Sequence, residues 1–259
     1  VMLTLAAPKE SPLSFLKLQA GAFAGNGLKQ ESNTRLDFIG KLSLKKNLNG
    51  KGEMECGVSY YNGGVFQGTK NVYQMEGRSF VADSSDTNYG QYAKREYIGF
   101  HGALNISSNA GMTKLMAEYV FGKQPGSQSD TKSPNGNENG KTDTYIRDFS
   151  GWYVMIVQDL GPSPLSLVAK YDTYDANRRL RSNEVGLNGS GKADLAQRTV
   201  GAGREDLAAA RLHEAHAGDL PQAHLRCRGG VRRGRGQLGR RQRERAGLDQ
   251  VPQVADGTS

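Results

Sequence analysis

The chain has 259 residues, enough for one large domain or two small ones, and its mean hydropathy is −0.62. No stretch is apolar for the ~18 residues a membrane-spanning helix needs, which excludes such a helix. A membrane-spanning strand is not excluded, because it hides its apolar half by alternation. The net charge of +8 divides unevenly in kind. Residues 1–203 carry 15 lysines, 8 arginines and 19 acids, whereas 204–259 carry no lysine, 11 arginines and 7 acids. All 20 aromatic residues lie in 1–203.

In chain order, the first residues read as the end of a strand turning at Leu5-Ala6-Ala7-Pro8. Leu16, Leu18, Ala20 and Ala22 then alternate with Lys17, Gln19 and Gly21. Leu36, Phe38, Gly40, Leu42 and Leu44 alternate with Asp37, Lys41, Ser43 and Lys45, up to a short turn at Asn47-Leu48-Asn49-Gly50. Met54, Cys56, Val58 and Tyr60 alternate with Glu53, Glu55, Gly57 and Ser59, before a long polar segment over 62–92. Ile98, Phe100, Leu104 and Ile106 start the next strand, and Leu115, Ala117, Tyr119 and Phe121, alternating with Lys114, Met116, Glu118 and Val120, follow a short turn at 107–111. A second long polar segment covers 123–144. The stretch 145–160 is strand-like with both faces partly apolar, and its phase is not readable. Leu165, Leu167, Ala169 and Tyr171 alternate with Ser166, Val168, Lys170 and Asp172 after the short Gly161-Pro162-Ser163-Pro164 turn. A third polar segment over 175–192 leads to a last strand from Asp194 to Gly203. The period of two is the strand signature.

Length and charge select among β folds. Strands in soluble sandwiches usually run ~5–6 residues, and these run to about ten, enough at ~3.3 Å per residue to cross a bilayer core when tilted. A closed sheet would enclose the charges on the polar face, which a packed core would not tolerate and a watery lumen would. Short turns at one end and long loops at the other fit the same layout. Tyr60, Tyr61, Tyr73, Tyr145, Trp152, Tyr153, Tyr171 and Tyr174 near strand ends are expected to form an interfacial girdle.

The segment Val58-Ser59-Tyr60-Tyr61-Asn62-Gly63-Gly64-Val65-Phe66-Gln67-Gly68-Thr69 resembles a strand and loop of Gram-negative outer-membrane porins of the phosphate-selective porin O/P-like superfamily. So do Ala117-Glu118-Tyr119-Val120-Phe121-Gly122-Lys123-Gln124-Pro125-Gly126 and Val168-Ala169-Lys170-Tyr171-Asp172. The resemblance implies residence in the outer membrane and a barrel of roughly twice the eight or nine strands visible here. Signal peptide, early strands and closing strands of that pattern are absent, and no selectivity residue of the family carries over.

The expected fold is therefore all-β: an incomplete antiparallel transmembrane β-barrel, a curved open sheet of eight or nine long strands, over residues 1–203. The expected function is passive diffusion of small hydrophilic solutes, with outer-membrane lipid as the other partner. Lys17, Lys41, Lys45, Glu53, Glu55, Lys114, Glu118 and Lys170 are the candidate lumen-facing charges, and their positive excess leans weakly toward anions. A soluble or surface-attached β-rich binding protein or adhesin is the alternative.

No enzyme, cofactor, metal or nucleic-acid partner is expected. Cys56 and Cys227 lie far apart in unlike segments. His101 lacks the neighbours of a catalytic or metal-ligating histidine. Gly186-Leu187-Asn188-Gly189-Ser190-Gly191-Lys192 has phosphate-loop spacing, but Ala193 stands where the magnesium-binding hydroxyl belongs.

The Arg/Gly/Ala-rich residues 204–259 depart from the strand design and are expected to be unstructured or weakly helical. They read as translated out of frame. Back-translating 205–224 with allowed codons and reading one base further on gives KISLPQDFTRLTLATYPKR, which restores lysine, aromatics and an alternating run. A genuine polyanion-binding tail is the alternative.

Overall fold

The computed structural model describes residues 1–25, 35–131 and 142–206. Eleven strands form one sheet. They are β1 (Met2–Ala6), β2 (Leu16–Ala24), β3 (Leu36–Asn47), β4 (Gly52–Phe66), β5 (Asn71–Glu76), β6 (Ser79–Ser84), β7 (Tyr92–Ser108), β8 (Gly111–Gly126), β9 (Thr144–Asp159), β10 (Leu165–Asp175) and β11 (Gln197–Asp206). Helix among the described residues amounts to three 3-10 turns of three residues each.

Nine strands follow one another side by side in the order β1-β2-β3-β4-β7-β8-β9-β10-β11, each antiparallel to the next. Strands β4, β7, β8 and β9 run to 15–17 residues, longer than the alternation alone suggests. The sheet is not closed: β1 and β11 each have a neighbour on one edge only. The first strand and its turn are as expected. Strand β11 runs to Asp206, with Arg204 opposite Leu167, so pairing continues three residues past the composition break at Gly203. Residues 207–259, with the expectations of disorder, helix and altered frame, lie outside the described residues.

Connections alternate in length as the sequence suggests. The β3–β4 turn is tight because Asn49 (φ 52°) and Gly50 (φ 78°) adopt left-handed backbone, which asparagine and glycine reach at least cost, and Asn47 Oδ1 accepts the Gly50 N–H at 3.1 Å. At the other end the 62–92 segment departs from its reading as a polar loop. Strand β4 continues to Phe66, and β5 and β6 form a hairpin around Gly77 (φ 60°) and Arg78. That hairpin leaves the main path and lays β5 parallel to the start of β9, with Tyr73 opposite Tyr145.

Register assigns the two faces, since directly opposed residues point the same way. One face carries, row by row, Leu18–Leu42–Val58–Phe100–Tyr119–Trp152 and Leu16–Leu44–Cys56–Gly102–Ala117–Val154–Tyr171–Val200. Below them runs Met54–Leu104–Leu115–Ile156–Ala169–Ala202. This also phases 145–160: Trp152, Val154 and Ile156 belong to the apolar face. Nothing among the described residues covers it. Phe100 is 50% exposed and Leu167 51%, with Phe38, Val58 and Leu115 also exposed and Leu16 and Leu42 partly so.

Buried apolar side chains among the described residues are few: Val65, Val72, Ala93, Tyr145, Phe149, Val168 and Ala176. They do not lie in the rows of the apolar face.

Candidate functional site

The opposite face gathers the charges. Lys17, Lys41, Lys45, Glu53, Glu55, Lys114, Glu118 and Lys170 all fall on it by register. Asp159 and Asp172 share it, as does His101. Three ion pairs cross this face: Lys45–Glu53 at 2.7 Å, Lys41–Glu55 at 3.9 Å and Lys170–Asp172 at 3.2 Å. All six side chains are well exposed, so each pair adds at most about 1 kcal/mol. His101 Nε2 lies 3.4 Å from Glu55. The ring reaches across β4 because position 57 is glycine; a Cβ there would meet His101 Cε1 at 2.5 Å. Asn105 donates to Glu53 at 3.1 Å. The residues brought together thus form two groups: Lys41, Lys45, Glu53, Glu55 and His101 on β3–β4–β7, and Glu118, Tyr153, Lys170 and Asp172 on β8–β10. Lys170 also lies over the Tyr153 ring, 5.1 Å from its centre. Lys17 and Lys114 make no ion pair with the described residues.

The two halves of this face differ. Toward the short turns it is open. Toward the long loops it is packed over by them. Tyr61 stacks on Tyr97, which meets Phe149 edge-on, which tilts against Tyr174. Gly122 lies between Tyr97 and Phe149 in register. Tyr97 donates to Gln124, which donates to the Thr131 carbonyl, so the loop after β8 returns onto the ring row. The hairpin covers the next part, with Tyr73 stacked on Tyr145 and Phe80 edge-on to the same ring.

Two buried arginines hold this end. Arg147 is fully buried, donates to Asp194 at 2.8 Å and to the carbonyls of Ser127 and Gln128, and lies over the Phe80 ring. Asn177 also donates to Asp194 at 2.8 Å. One guanidinium therefore joins β9, the loop after β8, the loop after β10 and the hairpin. Arg95 bonds to Asp37 and Tyr61 and to the Gly25 carbonyl at 3.1 Å. Asp37 fits because residue 63 is glycine; a Cβ there would stand 2.4 Å from its carboxyl. No sequence spacing announces either cluster, since their members are tens of residues apart.

Arg78, in the hairpin turn, bonds Glu184 at 2.6 Å. The Arg181 backbone N–H, with Arg78, holds the Glu184 carboxyl below its ordinary range. A carboxyl depressed by folding stabilises the fold above its unfolded pKa of about 4.3, and this is lost as pH falls through the lower folded value. Protease nicking of the hairpin should be constant from pH 7 to 5 and accelerate in stronger acid. Glu184→Gln should remove that acid step; an unchanged profile would show that the contact does not hold the hairpin.

The aromatic girdle needs correction. Of the aromatics expected in a girdle, Tyr60, Trp152 and Tyr171 lie on the apolar face, but Tyr61, Tyr145, Tyr153 and Tyr174 lie on the charged one, and Tyr73 lies in the hairpin. Phe100, Tyr119 and Phe121 stack on the apolar face instead. In the 186–192 loop the Gly191 N–H already donates to Asp194 at 2.9 Å and the Gly186 N–H to Ser190 at 3.0 Å, so these amides do not form an open phosphate cradle.

Comparison with family models, curated proteins and solved structures finds no match to this chain.

Proposed function

We propose that this sheet is part of the wall of a water-filled outer-membrane barrel of the porin kind, which passes small hydrophilic solutes by diffusion. The observation that carries the reading is the inverted distribution of side chains. An apolar face that no other strand among the described residues covers spans nine strands, while lysines and carboxylates occupy the other. Contiguous apolar surface on that scale fits lipid better than water. The run from Ile98 to Ile106 covers ~27 Å along the strand at ~3.3 Å per residue, and less once tilted, close to the ~25 Å apolar band of outer-membrane barrels. In such a setting the free edges of β1 and β11 need strand partners, because hydrocarbon offers none to backbone polar groups.

The charged face then lines the passage. Five lysines are matched there by Glu53, Glu55, Glu118, Asp159 and Asp172, so the weak lean toward anions disappears. The packed loop end narrows the path, and the open end contributes the mixed charges.

The closed barrel in planar bilayers should conduct ohmically without an energy source. Lys41→Gln and Lys114→Gln together should shift the reversal potential toward cations, since two ammonium groups are removed and Glu55 keeps only His101 beside it. Inserted, folded protein that does not conduct would overturn the pore.

A further inference from the structure

Where the apolar face ends on the loop side, it carries a rim of charge. Going along β8 from its centre, Leu115, Ala117, Tyr119 and Phe121 are followed on the same face by Lys123. Lys123 stands in register between Glu96 on β7 and Asp148 on β9. Both carboxylates are already engaged. Glu96 pairs with Lys94 at 2.8 Å and accepts from Tyr60 at 2.7 Å, and Asp148 accepts from Arg179. Arg178 is anchored by its backbone N–H to the Asp148 carbonyl at 2.9 Å. Its guanidinium does not turn back to the charged face but lies 5.9 Å from the centre of the Phe121 ring, on the apolar side. Lys123 and Arg178 are exposed, and neither has an ion pair among the described residues.

Two cations outside any close ion pair among the described residues therefore stand by one ring where the apolar face becomes polar, with Lys123 facing Glu96 only at longer range. A carboxylate from the protein would have been the ordinary partner; Glu96 and Asp148 pair with other cations, and Asp175, in the Phe121 row, accepts the Asn177 N–H. The complementary group is an anion that arrives with hydrocarbon attached: the ammonium and the guanidinium take its oxygens, and Phe121, Tyr119 and Phe100 take its chains.

We infer that Lys123 and Arg178 form a docking site for the phosphate headgroup of a lipid in the loop-side leaflet. The inference rests on the membrane reading above, and its test separates the two. Trp152 is the chain's only tryptophan and belongs to the apolar face, so its fluorescence reports lipid chains. The full chain in mixed micelles is titrated with chain-brominated phosphatidic acid or phosphatidylcholine, and quenching is followed. Phosphatidic acid should quench at concentrations lower by on the order of tenfold. Lys123→Gln with Arg178→Gln should bring the two lipids level, Lys123→Arg with Arg178→Lys should keep the preference, and Lys70→Gln should not change it. Inorganic phosphate should not displace the lipid; if it does, the site is one for free anions. Equal quenching of the unaltered chain by both lipids would overturn the headgroup site and leave the membrane reading standing. No quenching by either would overturn both.

Discussion

Arginine in place of Val154 should cost about 2–4 kcal/mol when the sheet is folded in a lipid bilayer. Val154 lies mid-way along the apolar face, between Ala117 and Tyr171 in register, and is 39% exposed. An exposed position on a protein in water would lose no more than about 0.5 kcal/mol to the same change. The difference decides whether lipid or water meets this face. Urea titration of the chain folded on lipid vesicles, beside the same titration in buffer, measures it. A small and equal loss in both media would remove the membrane reading and favour the soluble β-rich protein.

Arg147→Met should destabilise the loop end by about 3–5 kcal/mol, because it leaves the carboxylate of Asp194 buried without its cation. Asp194 is 2% exposed and keeps only the Asn177 amide and the Gly191 N–H. The loss should be local. Amides of the hairpin and of the start of β9 should exchange faster, while the β3–β4 and β7–β8 turns keep their protection. Adding Asp194→Leu should recover much of the stability, since a buried pair replaced by apolar groups is often neutral. Unchanged exchange in Arg147→Met would mean that the guanidinium does not join the loops.

The long strands of the sheet were legible because each has one partner environment on each face. Met54 to Tyr60 alternates cleanly between the apolar and the charged face, Leu36 to Lys45 does so except at Ile39, and their order and neighbours follow. The same logic explains where the alternation failed. Tyr145 and Phe149 are apolar on the charged face because the hairpin and loops cover them, and Trp152, Val154 and Ile156 are apolar on the other. Two apolar faces erase the period, so 145–160 had no readable phase. The hairpin was hidden for a different reason. Its strands are six residues each, and its cue, Glu76-Gly77-Arg78-Ser79 between Tyr73 and Phe80, is faint beside the polar residues around it. The eight candidate charges were legible from parity alone. Their pairing was not, because it depends on diagonal reach across strands, and the buried arginines were not, because Arg147 meets Asp194 across 47 positions.

The parallel seating of β5 on β9 also fixes an order of assembly. Asn71 reaches Asp143 across 72 positions, whereas β7 meets β8 through a two-residue turn. Closing the shorter loops loses less chain entropy, so the hairpin-linked strands zip first and the β5–β6 hairpin docks on a surface that already exists. In the proposed barrel the hairpin must nevertheless be on the charged side before the sheet closes, since afterwards it could enter only through an end. Under that proposal, the bore and the sheet around it are set at different moments of assembly. A change confined to the hairpin would then alter how far the proposed passage is stopped down without altering how fast the sheet is built.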